Sequence, residues 1–183
     1  MPRVLHTPRL KLVPLTPALG AADLAGRETL EQRLRAEVPA SWPPEFFESD
    51  KLEWTIDHLE QRPDEIGWWM YYLVLRSQGA TLVGVAGYKG PPDDSGHIEI
   101  GYSILGDYRR RGIATEAALA LSDHAFARAD VNCVIAHTFP AFNASRNVLE
   151  KSGFRCAGPA SEPEVIRYEL ARADWQRARC GVR

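Results

Sequence analysis

The 183-residue chain is 45% apolar and 25% charged, with a formal net charge of −2. That length supports a single domain over residues 1–183 with one substantial core. The slightly acidic balance argues against a nucleic-acid partner, since such binders carry a basic excess.

No stretch nears membrane-spanning length and no apolar leader segment opens the chain, so no membrane partner is expected. Cys133, Cys156 and Cys180 are odd in number, widely separated and without Cys-x-x-Cys spacing. That is the pattern of reduced intracellular thiols, and it predicts a cytoplasmic protein with no metal site.

Residues 9–13 alternate polar and apolar, as a short strand does. Residues 17–37 carry Leu19, Leu24, Leu30 and Leu34 among charges, which predicts one or two helices ending before Pro39. Trp42-Pro43-Pro44 is a rigid connection, and residues 45–61 predict a further helix. Strands follow over 68–75 and 81–88, with Gly87 marking a bulge or close packing. The Gly- and Pro-rich turn at 90–96 returns the chain antiparallel from His97.

The strand running from His97 to Ile104 leads into Arg109-Arg110-Arg111-Gly112-Ile113-Ala114-Thr115-Glu116, where a helix opens. The first turn of a helix leaves its amide donors unpaired. Gly112 and Ala114 keep side chains out of the way, and the helix dipole and three arginines add positive potential. The pattern fits an anion cradle, although a solvated loop with an ordinary glycine turn accounts for it as well. It is neither a Gly-Lys-Ser/Thr phosphate loop nor a Gly-x-Gly-x-x-Gly dinucleotide turn.

Residues 114–127 predict a deeply buried, alanine-rich helix. The apolar run 133–139 predicts a strand covered on both faces, so strand, helix and strand across 97–139 form a βαβ unit with parallel neighbours. A helix over 143–152 closes at Gly153. Two last strands, at 154–156 and 165–170, and a helix from Asp174 complete a mixed α/β (α+β) fold. Its central sheet is mostly antiparallel with one parallel strand pair and helices on both faces.

Three blocks in order resemble one family. Arg109-x-x-Gly112-x-Ala114 resembles the Arg/Gln-x-x-Gly-x-Gly/Ala signature of the GNAT N-acetyltransferases, where it binds the pyrophosphate of acetyl-coenzyme A. The block Asn143-Ala144-Ser145-Arg146-Asn147-Val148-Leu149-Glu150-Lys151-Ser152-Gly153-Phe154 resembles their Asn/Ser-rich helix ending in Glu-Lys-x-Gly-Phe. Thr7-Pro8-Arg9-Leu10-Lys11-Leu12 is similar to the opening strand of the branch that holds the ribosomal-protein N-terminal acetyltransferases.

The resemblance implies acetyl-CoA as co-substrate, held by Arg109, Arg110, Arg111, Gly112, Ile113, Ala114 and Thr115. It further implies two parallel strands that splay apart, exposing backbone pairing groups of Tyr102, Ser103 and Ile104 to the pantetheine arm. Asn143 and Ser145 are the candidate contacts from the later helix.

Amine acetylation needs a proton removed from the amine and one returned to the leaving thiolate. Glu99, on the strand leading to the cradle, is the candidate base, and a polar sheet face is its plainer explanation. The helix after the last parallel strand lacks the tyrosine that serves many relatives as acid. Ser145 is the substitute the branch suggests, although helix capping is the commoner use of serine there. Phe142 stands where many relatives place an asparagine. His97, His124 and His137 read as packing groups, none being at metal-ligand spacing.

The acceptor is a primary amine, either a protein or peptide α-amine or a small molecule, with an α-amine losing its proton more readily near neutrality. A CoA-binding sensor or interaction module with little activity is the alternative. Dimers are common among relatives, so a second copy of the chain is a candidate partner.

Overall fold

The computed structural model describes residues 3–76 and 79–180. Alternating and continuous apolar runs pair into an eight-stranded sheet of order β1-β2-β3-β4-β5-β6-β8-β7. The strands are β1 (Leu5–His6), β2 (Leu10–Pro14), β3 (Met70–Leu75), β4 (Thr81–Tyr88), β5 (His97–Ile104), β6 (Cys133–Thr138), β7 (Arg155–Pro159) and β8 (Ile166–Ala171). All neighbours are antiparallel except β5 and β6.

Helices lie on both faces. On one, α1 (Pro17–Ala25), α2 (Arg27–Leu34) and α3 (Ser49–Gln61) pack over Tyr72, Val74 and Leu82. On the other, α4 (Ile113–Phe126) and α5 (Asn143–Lys151) cover Tyr71, Leu73, Val83, Ile98 and Ile100. The alternation along β3 is the strand period dividing one run between two cores. A terminal helix, α6 (Arg172–Cys180), packs its Trp175 against the ring of Phe126 at 5.0 Å.

The stretch predicted as one or two helices forms two, parted at Gly26, whose φ of 119° suits glycine. Thr16 caps α1 by accepting from the Leu19 amide, with Pro17 in the first turn. Gly87 is a close-packing glycine and not a bulge. A Cβ there would stand 2.3 Å from the Trp69 carbonyl oxygen, and the ladder shifts register between Leu73 and Val74 instead.

Two expectations are corrected. The helix predicted over 45–61 begins only at Ser49, and residues 45–48 form a loop that touches β5. Strand β6 is covered on one face only, leaving Ile135 and His137 half-buried. The helices α1, α2 and α3 stop over β2, β3 and β4, and the sheet face beyond carries polar side chains.

Strands β5 and β6 pair only at His97–Cys133, Ile98–Val134 and Glu99–Ile135. Beyond Glu99 both strands continue without pairing to each other, β5 to Ile104 and β6 to Thr138. The sheet therefore holds an open seam between β5 and β6, with β4 bonded behind the first and β8 behind the second.

Candidate active site

The loop between β5 and α4 builds the cradle. Arg110 has φ 60° and Gly112 φ 73°, so left-handed residues turn successive amides toward one concavity. None of the amides from Arg110 to Thr115 donates to another group among the described residues. Ile113 is buried and anchors the first turn, while Arg110, Arg111 and Gly112 are exposed and Ala114 and Thr115 half-buried. An exposed row of free donors at a helix N-terminus is suited to a diphosphate.

A brace from the N-terminal strand holds this loop. Arg9 Nη1 donates to the Arg111 carbonyl at 2.7 Å. Arg9 also donates to Glu116 from its backbone N–H at 2.9 Å and from Nε at 2.6 Å, and Thr7 Oγ1 donates to the same carboxylate. Burial alone would raise the Glu116 pKa. The Thr7 and Arg9 contacts outweigh it and hold the carboxyl below the ordinary glutamate value. Neutralising Glu116 matters here, because a bare carboxylate in the first turn of α4 would repel an anion in the cradle. Arg109 is committed elsewhere, with Nε on the Ile104 carbonyl at 2.9 Å and Nη2 2.9 Å from Glu45 Oε2.

Ladder parity shows which groups face the seam. The bonds Lys89 N–H to Glu99 O and Leu105 N–H to Val83 O turn the odd-numbered backbone of β5 toward β4. Tyr102 and the Ile104 N–H thus face the seam, as expected. Ser103 does not: its backbone lies opposite Val85, and its hydroxyl donates to the Glu45 carbonyl at 2.7 Å. On the far bank, the Arg172 N–H to Asn132 O bond gives β6 the opposite alternation, so the His137 backbone faces the gap.

Side chains stand above and below the seam. On the α4/α5 face, the Tyr102 hydroxyl donates to the Ser145 carbonyl at 3.1 Å and lies 3.2 Å from Ser145 Oγ. Burial pushes the Tyr102 phenol up to about 12, against the effect of the Ser145 hydrogen bond, so the phenol stays protonated at neutral pH. The capping role expected of Ser145 is not the one it takes. Phe142 occupies the N-cap, no side chain caps α5, and Ser145 turns its hydroxyl to Tyr102 across the seam. Asn143 sits exposed at the first position of α5.

On the other face Glu99 is the central charge. Its Oε1 lies 3.1 Å from His137 Nδ1 and touches Lys89 Nζ, yet this buried oxygen accepts no well-aligned hydrogen bond among the described residues. Gly101, next along that face, has open space where a side chain would stand. At the end of the seam Phe46 and Phe142 meet with ring centroids 6.1 Å apart, and Phe139 packs on Phe142 at 5.3 Å. All three rings are exposed, Phe46 at 74%.

Treating the histidines as packing groups does not anticipate the approach of His137 to Glu99. Its parity with Ile135 on a face shared with Glu99 is the signal that would have found it. The Arg9–Glu116 brace and the loop at Glu45 and Phe46 join residues far apart in sequence, and no local pattern marks them.

No helix of the described residues is long and apolar enough to cross a membrane, and they hold no cluster of three or more metal-ligating side chains. A family model described as an acetyltransferase (GNAT) domain matches residues 9–155. An uncharacterized N-acetyltransferase of Bacillus subtilis is 30% identical over 153 residues, covering 82% of this chain and 89% of that protein. Among solved structures, the ribosomal-protein-S5-alanine acetyltransferase of Vibrio fischeri superposes with a TM-score of 0.65 at 16% identity, covering 94% of this chain and 98% of that one. A ribosomal L7/L12 α-N-protein acetyltransferase in complex with coenzyme A gives a TM-score of 0.61 at 18% identity, covering 92% and 98%. With a matching family model over most of its length and a curated relative at this identity, the chain belongs to the GNAT family and is an N-acetyltransferase.

Proposed function

We propose that the protein transfers the acetyl group of acetyl-CoA directly to a primary amine, a protein or peptide α-amine being the favoured acceptor. The observation that carries this is the pairing of a free-amide cradle with a seam opening directly behind it. The residues fit the co-substrate. The amides of residues 110–115 take the diphosphate, and the Tyr102 N–H and C=O with the Ile104 N–H pair with the amide groups of the pantetheine arm. Acetyl-CoA supplies an activated acyl group as its thioester; the chain's own residues orient it and move protons.

The two faces of the seam divide that work. Glu99 marks the side on which the amine loses its proton. Ser145, with Tyr102 beside it, is the hydroxyl pair from which the departing sulfur is protonated. The ribosomal-protein acetyltransferases among the structural neighbours support a peptide α-amine as acceptor. An α-amine also makes less demand on the base than a lysine side chain does. The exposed Phe46, Phe139 and Phe142 give the mouth of the seam an apolar rim on which the residues behind such an amine could pack.

The test is thiol release from acetyl-CoA across a panel of peptides and small primary amines. Positioned acids and bases contribute about 10²- to 10⁴-fold. Ser145→Ala and Tyr102→Phe together should cut kcat by about 100-fold, and either alone by less, with acetyl-CoA affinity unchanged. A double variant with full kcat would remove the hydroxyl pair from the role. A wild-type protein that binds acetyl-CoA but acetylates no amine would remove the transferase reading.

A further inference from the structure

Glu99 is poorly placed to act alone. Its buried Oε1 already lies against two nitrogens, Lys89 Nζ and His137 Nδ1. An amine approaching that oxygen must compete with both. His137 is differently situated. It lies two residues beyond the last paired position of β6, where the strands have parted, and only Nδ1 faces the carboxylate. Continuing the register across the gap, its neighbour on β5 is Gly101, the one position of that strand with no side chain and with open space above it. The imidazole is half-buried, and a Cβ built on Gly101 would meet nothing within 4 Å.

We infer that His137, not Glu99, takes the proton from the acceptor amine, and that Glu99 is its positioning partner. The inference rests on the acetyl-transfer reading above and names the proton acceptor within it. The carboxylate favours the tautomer with hydrogen on Nδ1, which leaves the Nε2 lone pair as the base. Apo contacts of this kind are often poorly aligned and tighten when substrates bind, which accounts for the unaligned approach of Nδ1 to Oε1.

The step balances. One amine proton moves to Nε2, the nitrogen lone pair forms the C–N bond as the C–S bond breaks, and the departing thiolate takes a proton from the Ser145–Tyr102 pair on the opposite face. The histidine proton then leaves to solvent through the open face at Gly101, and the Ser145–Tyr102 pair takes a proton back from solvent, so both groups return to their starting state. The charges facing the imidazole are Glu99 from β5 and Lys89 after β4, with Arg167 and Glu169 from β8. Those last two are paired to each other at 2.7 Å. Arg167 lies opposite His137 in the ladder and Glu169 opposite Ile135.

His137→Asn is the informative variant, because its amide nitrogen can stand where Nδ1 stands while nothing replaces Nε2. It should lower kcat at least 100-fold, erase the acid limb of the pH–rate profile and leave acetyl-CoA affinity within twofold. His137→Gln, which places its amide at the other nitrogen's position, guards against a folding defect in the first variant. Glu99→Gln should lower kcat less, and the double variant should be no slower than His137→Asn, since the two act as one unit. Independently of turnover, imidazole ¹⁵N spectra of the apo protein should show the Nδ1–H tautomer in wild type and its loss in Glu99→Gln. If the histidine variants keep wild-type kcat with an intact acid limb, the inference is overturned and Glu99 is left as the base. If wild type acetylates no amine at all, the transferase reading itself fails.

Discussion

Glu116 shows how one side chain tunes the cradle from outside it. The carboxylate never faces the diphosphate position as a free charge, because Thr7 and Arg9 of the N-terminal strand engage it. The same Arg9 holds the Arg111 carbonyl, so cancelling the charge and fixing the loop are one set of contacts. Hydrogen bonds to charged groups contribute about 1.5–3 kcal/mol, and the half-exposed Arg9 places this one at the low end. Glu116→Gln should therefore weaken acetyl-CoA binding about tenfold, roughly 1.4 kcal/mol, as isothermal titration would read it. The pH dependence follows from the depressed carboxyl pKa. Its contribution is complete above the ordinary glutamate range and is lost as pH falls through the lower folded-state value. The gap in affinity between wild type and variant should narrow as pH falls below the ordinary glutamate range; a gap that widened on acidification would reverse the assignment.

At the scale of elements, two glycines separate folding from ligand binding. Gly87 lies opposite Met70 where β4 pairs with the end of β3, and a methyl group there meets the Trp69 carbonyl at 2.3 Å and Met70 Cα at 2.7 Å. Backbone cannot yield as a side-chain tip does, so Gly87→Ala should cost about 2–3 kcal/mol while acetyl-CoA affinity is kept. At Gly112 the one near atom among the described residues is the flexible tip of Arg9 at 3.3 Å, but φ is 73°. A left-handed alanine costs roughly 1–2 kcal/mol, and the loop relieves it by abandoning the conformation that aims the amides. Gly112→Ala should melt close to wild type and bind acetyl-CoA at least tenfold more weakly. Equal losses of stability and affinity in both variants would contradict the division.

The same elements show what the sequence carries. The strand Thr81–Tyr88 is legible to the residue, because its β-branched run is fenced by turn residues on both sides. The cradle is legible because a strand, a glycine and a helix start lie within a few residues of one another. The coverage of β6 is not legible, because an apolar run does not say whether a helix reaches it, and here α3 stops short. The role of Ser145 is hidden for a related reason: capping is a local preference, and the contact with Tyr102 that displaces it spans 43 residues.

The whole molecule is two half-sheets joined at three pairs of residues. On one side β2, β3, β4 and β5 are bonded along their lengths, and on the other β6 pairs with β8 throughout. Only His97, Ile98 and Glu99 tie the halves through β5 and β6, while the helix α4 bridges them underneath. Backbone donors that face the open seam have no strand to protect them, so their exchange with solvent needs no global unfolding. Tyr102, Ile104 and His137 amides should exchange quickly in the free protein, whereas Leu73, Leu82 and Val83, fully buried in the two cores, should exchange only on global opening. A ligand acting as the missing strand reverses the first behaviour and leaves the second controlled by overall stability. At 100-fold over its dissociation constant, acetyl-CoA should add about 2.7 kcal/mol and raise the melting temperature on the order of 5–10 °C. Protection gained at Tyr102 and Ile104 beyond that global increment would show the arm pairing with β5. A uniform slowing across the sheet, with no excess in the seam, would mean that the ligand is held at the cradle alone.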